Sequence, residues 1–205
     1  MVEPATLVYP LRMPDAPGFR EITWGMDSVV AVTESPFTFR QQTYAWPGQR
    51  WKCAVRLPPM RDANARNWMA FFATLNGQEG TFLLSDSSFA LRAVGDGLGD
   101  PETDGAQAAG RAITTKGWTA NKLVARAGDM FEIAGRLRRV MLDCHSDADG
   151  KATLAIWPNV TALDDGVPIE WLEPKGVFRL ASEIESTWDI NRMMAGLQFA
   201  CIEAM

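Results

Sequence analysis

The chain's one histidine, His145, stands beside Cys144 and within a run of carboxylates, Asp143, Asp147 and Asp149. A cysteine and a histidine in contact can form a thiolate nucleophile and its base. Neighbours on a strand point to opposite faces, however, so an extended segment keeps Cys144 and His145 apart. No glycine-flanked nucleophile elbow occurs, and no carboxylate pair stands at a recognisable glycosidase spacing. Read as a calcium loop from Asp143, the run puts His145 at the third position, Ala148 at the sixth and Leu154 at the twelfth. An EF-hand needs an oxygen ligand, Gly and Glu there. One His and one Cys also fall short of a zinc site. The segment is therefore expected to be a solvated β-turn, with Asp and Gly in turn roles and His145 on a hairpin shoulder. No enzyme activity, metal or cofactor is expected.

Two other groupings could carry chemistry. Arg136, Arg138 and Arg139, with Arg126 nearby, form a modest basic patch. Strand geometry puts Arg136 and Arg138 on one face and Arg139 on the other. In an acidic protein this reads as a solvated face or a set of salt bridges, and no specific nucleic-acid binding is expected. The stretch 94–110 is rich in Gly and Asp, but it has no Lys-Ser/Thr pair and its aspartates would repel phosphate. It has almost no large apolar side chains and reads as a loop or linker.

The elements that would position these residues are mostly strands. Residues 23–34 hold Val29, Val30, Val32 and Thr33, and residues 37–44 alternate Phe37 and Phe39 with polar neighbours. Trp46-Pro47-Gly48 is turn chemistry. Trp51, Cys53, Val55 and Leu57 then mark one face of a strand that Pro58-Pro59 ends. Residues 63–75 are expected as a helix with Asp62 as N-cap and Gly77 just past its end. Its stripe of Trp68, Phe71, Phe72 and Leu75 belongs in a core. Residues 81–84 form a short buried strand. Later, 128–133 and 137–142 form a hairpin through Ala134-Gly135, and turns at 147–150 and 164–166 flank strands at 152–157 and 167–172. These four short strands suggest a small barrel. Phe178, Leu180, Trp188 and Ile190 carry the chain back. The last run, 197–202, is too apolar to stand as an exposed edge, so it must return to the first sheet. The middle is then an insertion. The expected fold is mainly β: an N-terminal β-sandwich or barrel with one α-helix, a small inserted β-barrel domain, and a C-terminal strand returning to the first sheet. The first unit takes residues 1–89 and 172–205, and the insertion takes 90–171.

The 205 residues are 47% hydrophobic and 22% charged, with a net charge of −5. That suffices for one large core or two small ones. Cys53, Cys144 and Cys201, an odd and scattered set, read as reduced thiols. The first ten residues lack the basic and apolar regions of a signal peptide, and no run reaches the length of a membrane span. The eight tryptophans are spread along the chain. Indoles of this kind serve cores and subunit interfaces. Trp46, Arg50 and Trp51 follow a Pro-Gly turn at a strand entry and are candidate interface anchors; the alternative for both indoles is the core. Trp118 and Trp157 are the candidates for stacking on a glycan.

The helix phrase RDANARNWMAFFATLNGQEGTFLLSD, the TTKGW segment at 114–118, the GDMFEIAGRLRRV hairpin and the GVFRLAS return together resemble a minor tail protein of long-tailed bacteriophages (siphovirus-type), of the distal-tail or baseplate-adaptor kind. The resemblance implies a structural virion protein that forms a homo-oligomeric ring, often a hexamer, at the tail tip. Its partners would be further copies of itself, the tail tube protein and the hub or tail-tip protein, with the tape measure protein or side fibres as others. It would assemble in the host cytoplasm and reside in the virion, without membrane insertion. The alternative expectation is a monomeric carbohydrate-binding β module that contacts host surface glycans.

Overall fold

The computed structural model of the protein describes residues 7–86, 99–184, 193–194 and 196–205. The period-two pattern of the first third builds one long antiparallel hairpin from β1 (Glu21–Glu34) and β2 (Gln41–Arg56). After a short β3 (Met60–Arg61) comes α1 (Asp62–Leu75), then β4 (Phe82–Leu84). The middle of the chain supplies β5 (Gly99–Thr103), β6 (Gly110–Trp118), β7 (Leu123–Ala125) and β8 (Met130–Ile133). It continues with β9 (Arg136–Val140), β10 (Cys144–His145), β11 (Ala152–Val160) and β12 (Ile169–Glu170). The chain closes with β13 (Gly176–Leu180), β14 (Met193–Met194) and β15 (Gln198–Glu203).

The protein is mainly β, with a single helix among the described residues. The last strand does return to the first sheet: β15 lies between β2 and β13 in a five-stranded sheet ordered β1-β2-β15-β13-β4. Phe199 and Cys201 are buried, while Gln198 and Ala200, which alternate with them, are exposed. The helical stripe covers this sheet. Trp68 and Leu75 are fully buried, and the rings of Phe72 and Phe199 meet edge-on at 5.3 Å between centroids. The middle strands make a six-stranded sheet, β12-β8-β9-β11-β6-β5. A bridge between Glu102 and Pro168 nearly closes it into a barrel around Phe131, Ile133, Leu154 and Ile156.

Four expectations are corrected. Residues 37–40 are the tip of the hairpin, not a half-buried strand: Phe37 and Phe39 are 91% and 75% exposed, and β2 starts at Gln41. Trp46-Pro47-Gly48 is a wide bulge inside β2, not a turn; it stands opposite Val29 between the pairs Ser28–Gln49 and Val30–Ala45. Proline has no N–H for the ladder, and Gly48 leaves room for Val29, whose Cγ2 would lie 2.9 Å from an added Cβ. The Gly/Asp-rich stretch contains β5 rather than only loop. This edge strand is held by polar contacts: the buried Thr103 donates its hydroxyl to the Asp164 carbonyl (2.7 Å) and accepts from the Val167 N–H (2.9 Å). Finally, Arg61 takes the N-cap position of α1, without a side-chain cap, and the left-handed C-terminal turn uses Asn76 as well as Gly77. Residues 94–98, Trp188 and Ile190 lie outside the described residues.

Candidate functional site

The hairpin β1–β2 outruns the sheet it starts from. Strand β15 pairs with β2 only over Lys52 to Arg56, so the ribbon beyond has no third strand. Its last firm supports are at Gln49, whose side-chain oxygen accepts from the Asn159 N–H (2.8 Å) and whose carbonyl accepts from Arg136 (3.2 Å). From the bulge outward, six residues of β1 make an arm about 20 Å long at strand rise. Between polar side chains such as Thr33, Glu34, Gln41 and Gln42 it carries an apolar set: Val29, Val30, Val32, Phe37, Phe39, Tyr44 and Trp46 are each half or more exposed. Val30 and Val32 take one face of the ribbon, and Tyr44, paired with Ala31, takes the other. Monomeric proteins rarely leave so many large apolar side chains uncovered on one element.

The arm's base is stiff. Asp27 accepts from Lys52 Nζ (2.5 Å) and faces Arg50 Nε at 3.5 Å; these two cations hold its carboxyl below the usual carboxylate range. Below them Trp51 is fully buried. Its indole N–H donates to the Leu137 carbonyl (3.0 Å), its ring meets Trp157 edge-on at 4.5 Å and Trp24 at 5.6 Å, and the Arg139 guanidinium lies 5.0 Å from the ring centre. Leu137, Trp157 and Arg139 belong to the six-stranded sheet, so Trp51 joins the two sheets at the root of the arm.

The sequence candidates separate here. Trp46 is 52% exposed in the bulge and Arg50 is partly exposed beside Asp27, while Trp51 is core. Trp118 and Trp157 do not come together. Trp118 is 5% exposed in the barrel core, donating to Thr115 Oγ1 (2.8 Å) and packed on Trp171; Trp157 is half-buried against Trp51. The basic cluster is not a solvated face. Arg138 is buried, which pushes its guanidinium down to about 10, and Arg136 is bound to Glu203. Sequence reasoning missed the arm. Its signal was present in the two Phe residues beside Ser35-Pro36, a turn-like pair in a run free of Lys.

His145 and Cys144 point apart: His145 is exposed, whereas the Cys144 thiol is buried and bonds the Thr153 carbonyl at 3.2 Å. Asp147 Oδ1 accepts from the N–H groups of Asp149 and Lys151 (2.9 and 2.8 Å), and Asp143 from that of Ala127 (2.8 Å). Those carboxylates thus order turns. Among the described residues no three His, Cys, Asp or Glu side chains group as metal ligands, and no helix is long and apolar enough to cross a membrane. No protein-family model matches the chain, and no curated protein matches it.

Proposed function

We propose that this chain is a structural subunit of a phage tail tip that associates with copies of itself into a ring and joins the tail tube to the hub. The observation that carries this reading is the apolar arm on a stiff base. A two-stranded ribbon alone is marginally stable in water. One with apolar side chains on both faces needs a covering partner. The sequence resemblance supplies the setting, a virion assembled in the host cytoplasm. Cyclic symmetry fixes the subunit number once the contact angle is set.

Native mass by light scattering over a wide concentration range, with negative-stain imaging of the peak, tests the proposal. A closed ring is the expected outcome. A monomer at every concentration reached would overturn it and leave glycan binding as the reading to screen.

A further inference from the structure

Of the chain's three cysteines the fold brings two together. Cys53 and Cys201 stand directly opposite each other where β2 pairs antiparallel with β15, and their sulfurs lie 2.9 Å apart. Residues opposite one another on antiparallel strands have Cα atoms about 4.5–5.5 Å apart, inside the roughly 4.4–6.8 Å that a disulfide spans. Both side chains take the same face of the sheet, so the sulfurs already point at each other. Cys144 belongs to the barrel core instead, where its thiol bonds the Thr153 carbonyl. The place of the pair also matters. Cys53 is two residues from Trp51 and Cys201 two from Glu203, whose carboxylate accepts from the Trp51 N–H at 3.2 Å at the root of the arm. The last strand is held there by short pairings, five residues with β2 and three with β13.

We infer that Cys53 and Cys201 form a reversible disulfide that fastens β15 to β2, with a low-molecular-weight disulfide such as oxidised glutathione as the oxidant. The inference does not rest on the ring reading. In the native sheet both sulfurs are buried, so the exchange begins while β15 is lifted from its neighbours. One cysteine, as its thiolate, attacks a sulfur of the oxidant, expels one small thiolate and leaves a mixed disulfide on the chain. Re-pairing of β15 then carries the second cysteine to that sulfur. Its thiolate attacks, the Sγ–Sγ bond forms, and the second small thiolate leaves. The two expelled thiolates take up the two protons that the cysteines gave. The protein loses two hydrogens and is oxidised by two electrons, and the small disulfide is reduced to two thiols. The bond joins residues 148 apart, and a cross-link of that span strongly constrains the unfolded chain. A chain held in a reducing compartment keeps the pair as thiols, and one moved to an oxidising medium acquires the bond.

The test is the redox equilibrium of the full chain in mixtures of reduced and oxidised glutathione, with and without denaturant. Native samples start both from reduced folded protein and from protein refolded in the same mixture, so slow access to the sulfurs is not mistaken for absence of the bond. After an acid quench, the remaining thiols are alkylated in denaturant, counted by intact mass and located by peptide mapping. The folded chain should keep one free thiol, Cys144, and be lighter by two hydrogens. Its ratio of Cys53–Cys201 disulfide to dithiol should exceed that of the denatured chain, at the same glutathione ratio, by roughly tenfold or more. By linkage the oxidised chain then has the higher Tm, and dithiothreitol returns it to the reduced value. Cys201→Ser should leave Cys53 as a thiol or a glutathione adduct, with no internal bond. Three free thiols in the folded chain where the denatured chain is already oxidised, a bond that includes Cys144, or an oxidised chain whose Tm is no higher than the reduced one overturns the inference. Each result reads the same on a monomer or a ring, so the ring reading stands or falls separately, on native mass.

Discussion

Arg136 of the six-stranded sheet grips Glu203 of the five-stranded sheet through both sides of its guanidinium, Nε to Oε1 at 2.9 Å and Nη2 to Oε2 at 2.8 Å. Glu203 is 2% exposed and also accepts from the Trp51 N–H at 3.2 Å. The planar fork of arginine fits a carboxylate in this bidentate way. The contact fixes the last residues of the chain to the inserted strands and sets the base from which the arm projects. The same groups that order the core therefore orient the proposed interface.

Glu203→Ala should cost about 3–5 kcal/mol, because it leaves the Arg136 cation and a buried N–H without their acceptor. Arg136→Lys should recover only part of the wild-type stability, since an ammonium cannot span both oxygens. Chemical denaturation of the three proteins measures both effects. An Ala variant within 1 kcal/mol of wild type (roughly the ceiling for an exposed pair) would contradict the account.

Trp51 and Trp46 should respond in opposite ways. Trp51→Ala empties a fully buried site and should lose about 3–5 kcal/mol of stability. Trp46→Ala removes a side chain from the exposed bulge and should shift monomer stability by no more than about 0.5 kcal/mol. Its effect should appear in assembly instead. Thermal denaturation at low concentration, set beside native mass at high concentration, separates the two.

The β8–β9 turn contains a correctable strain. Ala134 and Gly135 both have positive φ, 52° and 75°, as a two-residue hairpin turn requires. Alanine is a poor choice for the first position, and its side chain is exposed. Ala134→Asn should stabilise the protein by about 0.5–1 kcal/mol. A lower Tm than wild type would show that the strain lies elsewhere.

Glu132 gives a pH dependence with a definite sign. Burial, and to a smaller extent the nearby Glu170 carboxylate, raise its pKa above the ordinary 4.5, although the Gly135 N–H opposes the shift. A raised folded pKa means that the protonated form suits the fold. The contribution is fully present below the unfolded value and is lost as pH rises through the folded one. Glu132→Gln keeps an acceptor for Gly135 and removes the titration. Wild type and variant should match at pH 4, with the variant gaining the higher Tm by pH 7. A constant Tm difference across that range would rule the assignment out.

Cys53 and Cys201 face each other across β2 and β15, Sγ to Sγ at 2.9 Å, and both are buried and free. The hydrogen bond between them, with burial, pushes the Cys53 thiol far above its ordinary range. Burial closes both sulfurs to reagents, and Cys53 is also held as the unreactive thiol, so the pair should resist an alkylating reagent at pH 8 in the native state and react at once in denaturant. Rapid native labelling of Cys201 would mean that β15 leaves the sheet readily.

Much of this fold could be read locally. Alternation placed Trp51, Cys53 and Val55 on one face, the Trp68–Leu75 stripe required a covered helix, and the apolar final strand had to return to a sheet. Such patterns tell which residues share a face, because strand and helix periods are properties of the backbone alone. They do not tell whether a second layer lies against that face. Val29, Val30 and Phe37 look in sequence like core residues and are exposed, because the sheet ends before they do. Arg138 looks like a surface cation and is buried, because it stands opposite Phe131 on the face of its hairpin that the barrel core takes. The meeting of Arg136 with Glu203, 67 residues apart, and of Cys53 with Cys201, 148 apart, depended on how distant strands pair. Burial and partnership are sums over long-range contacts, and only the tertiary structure supplies them.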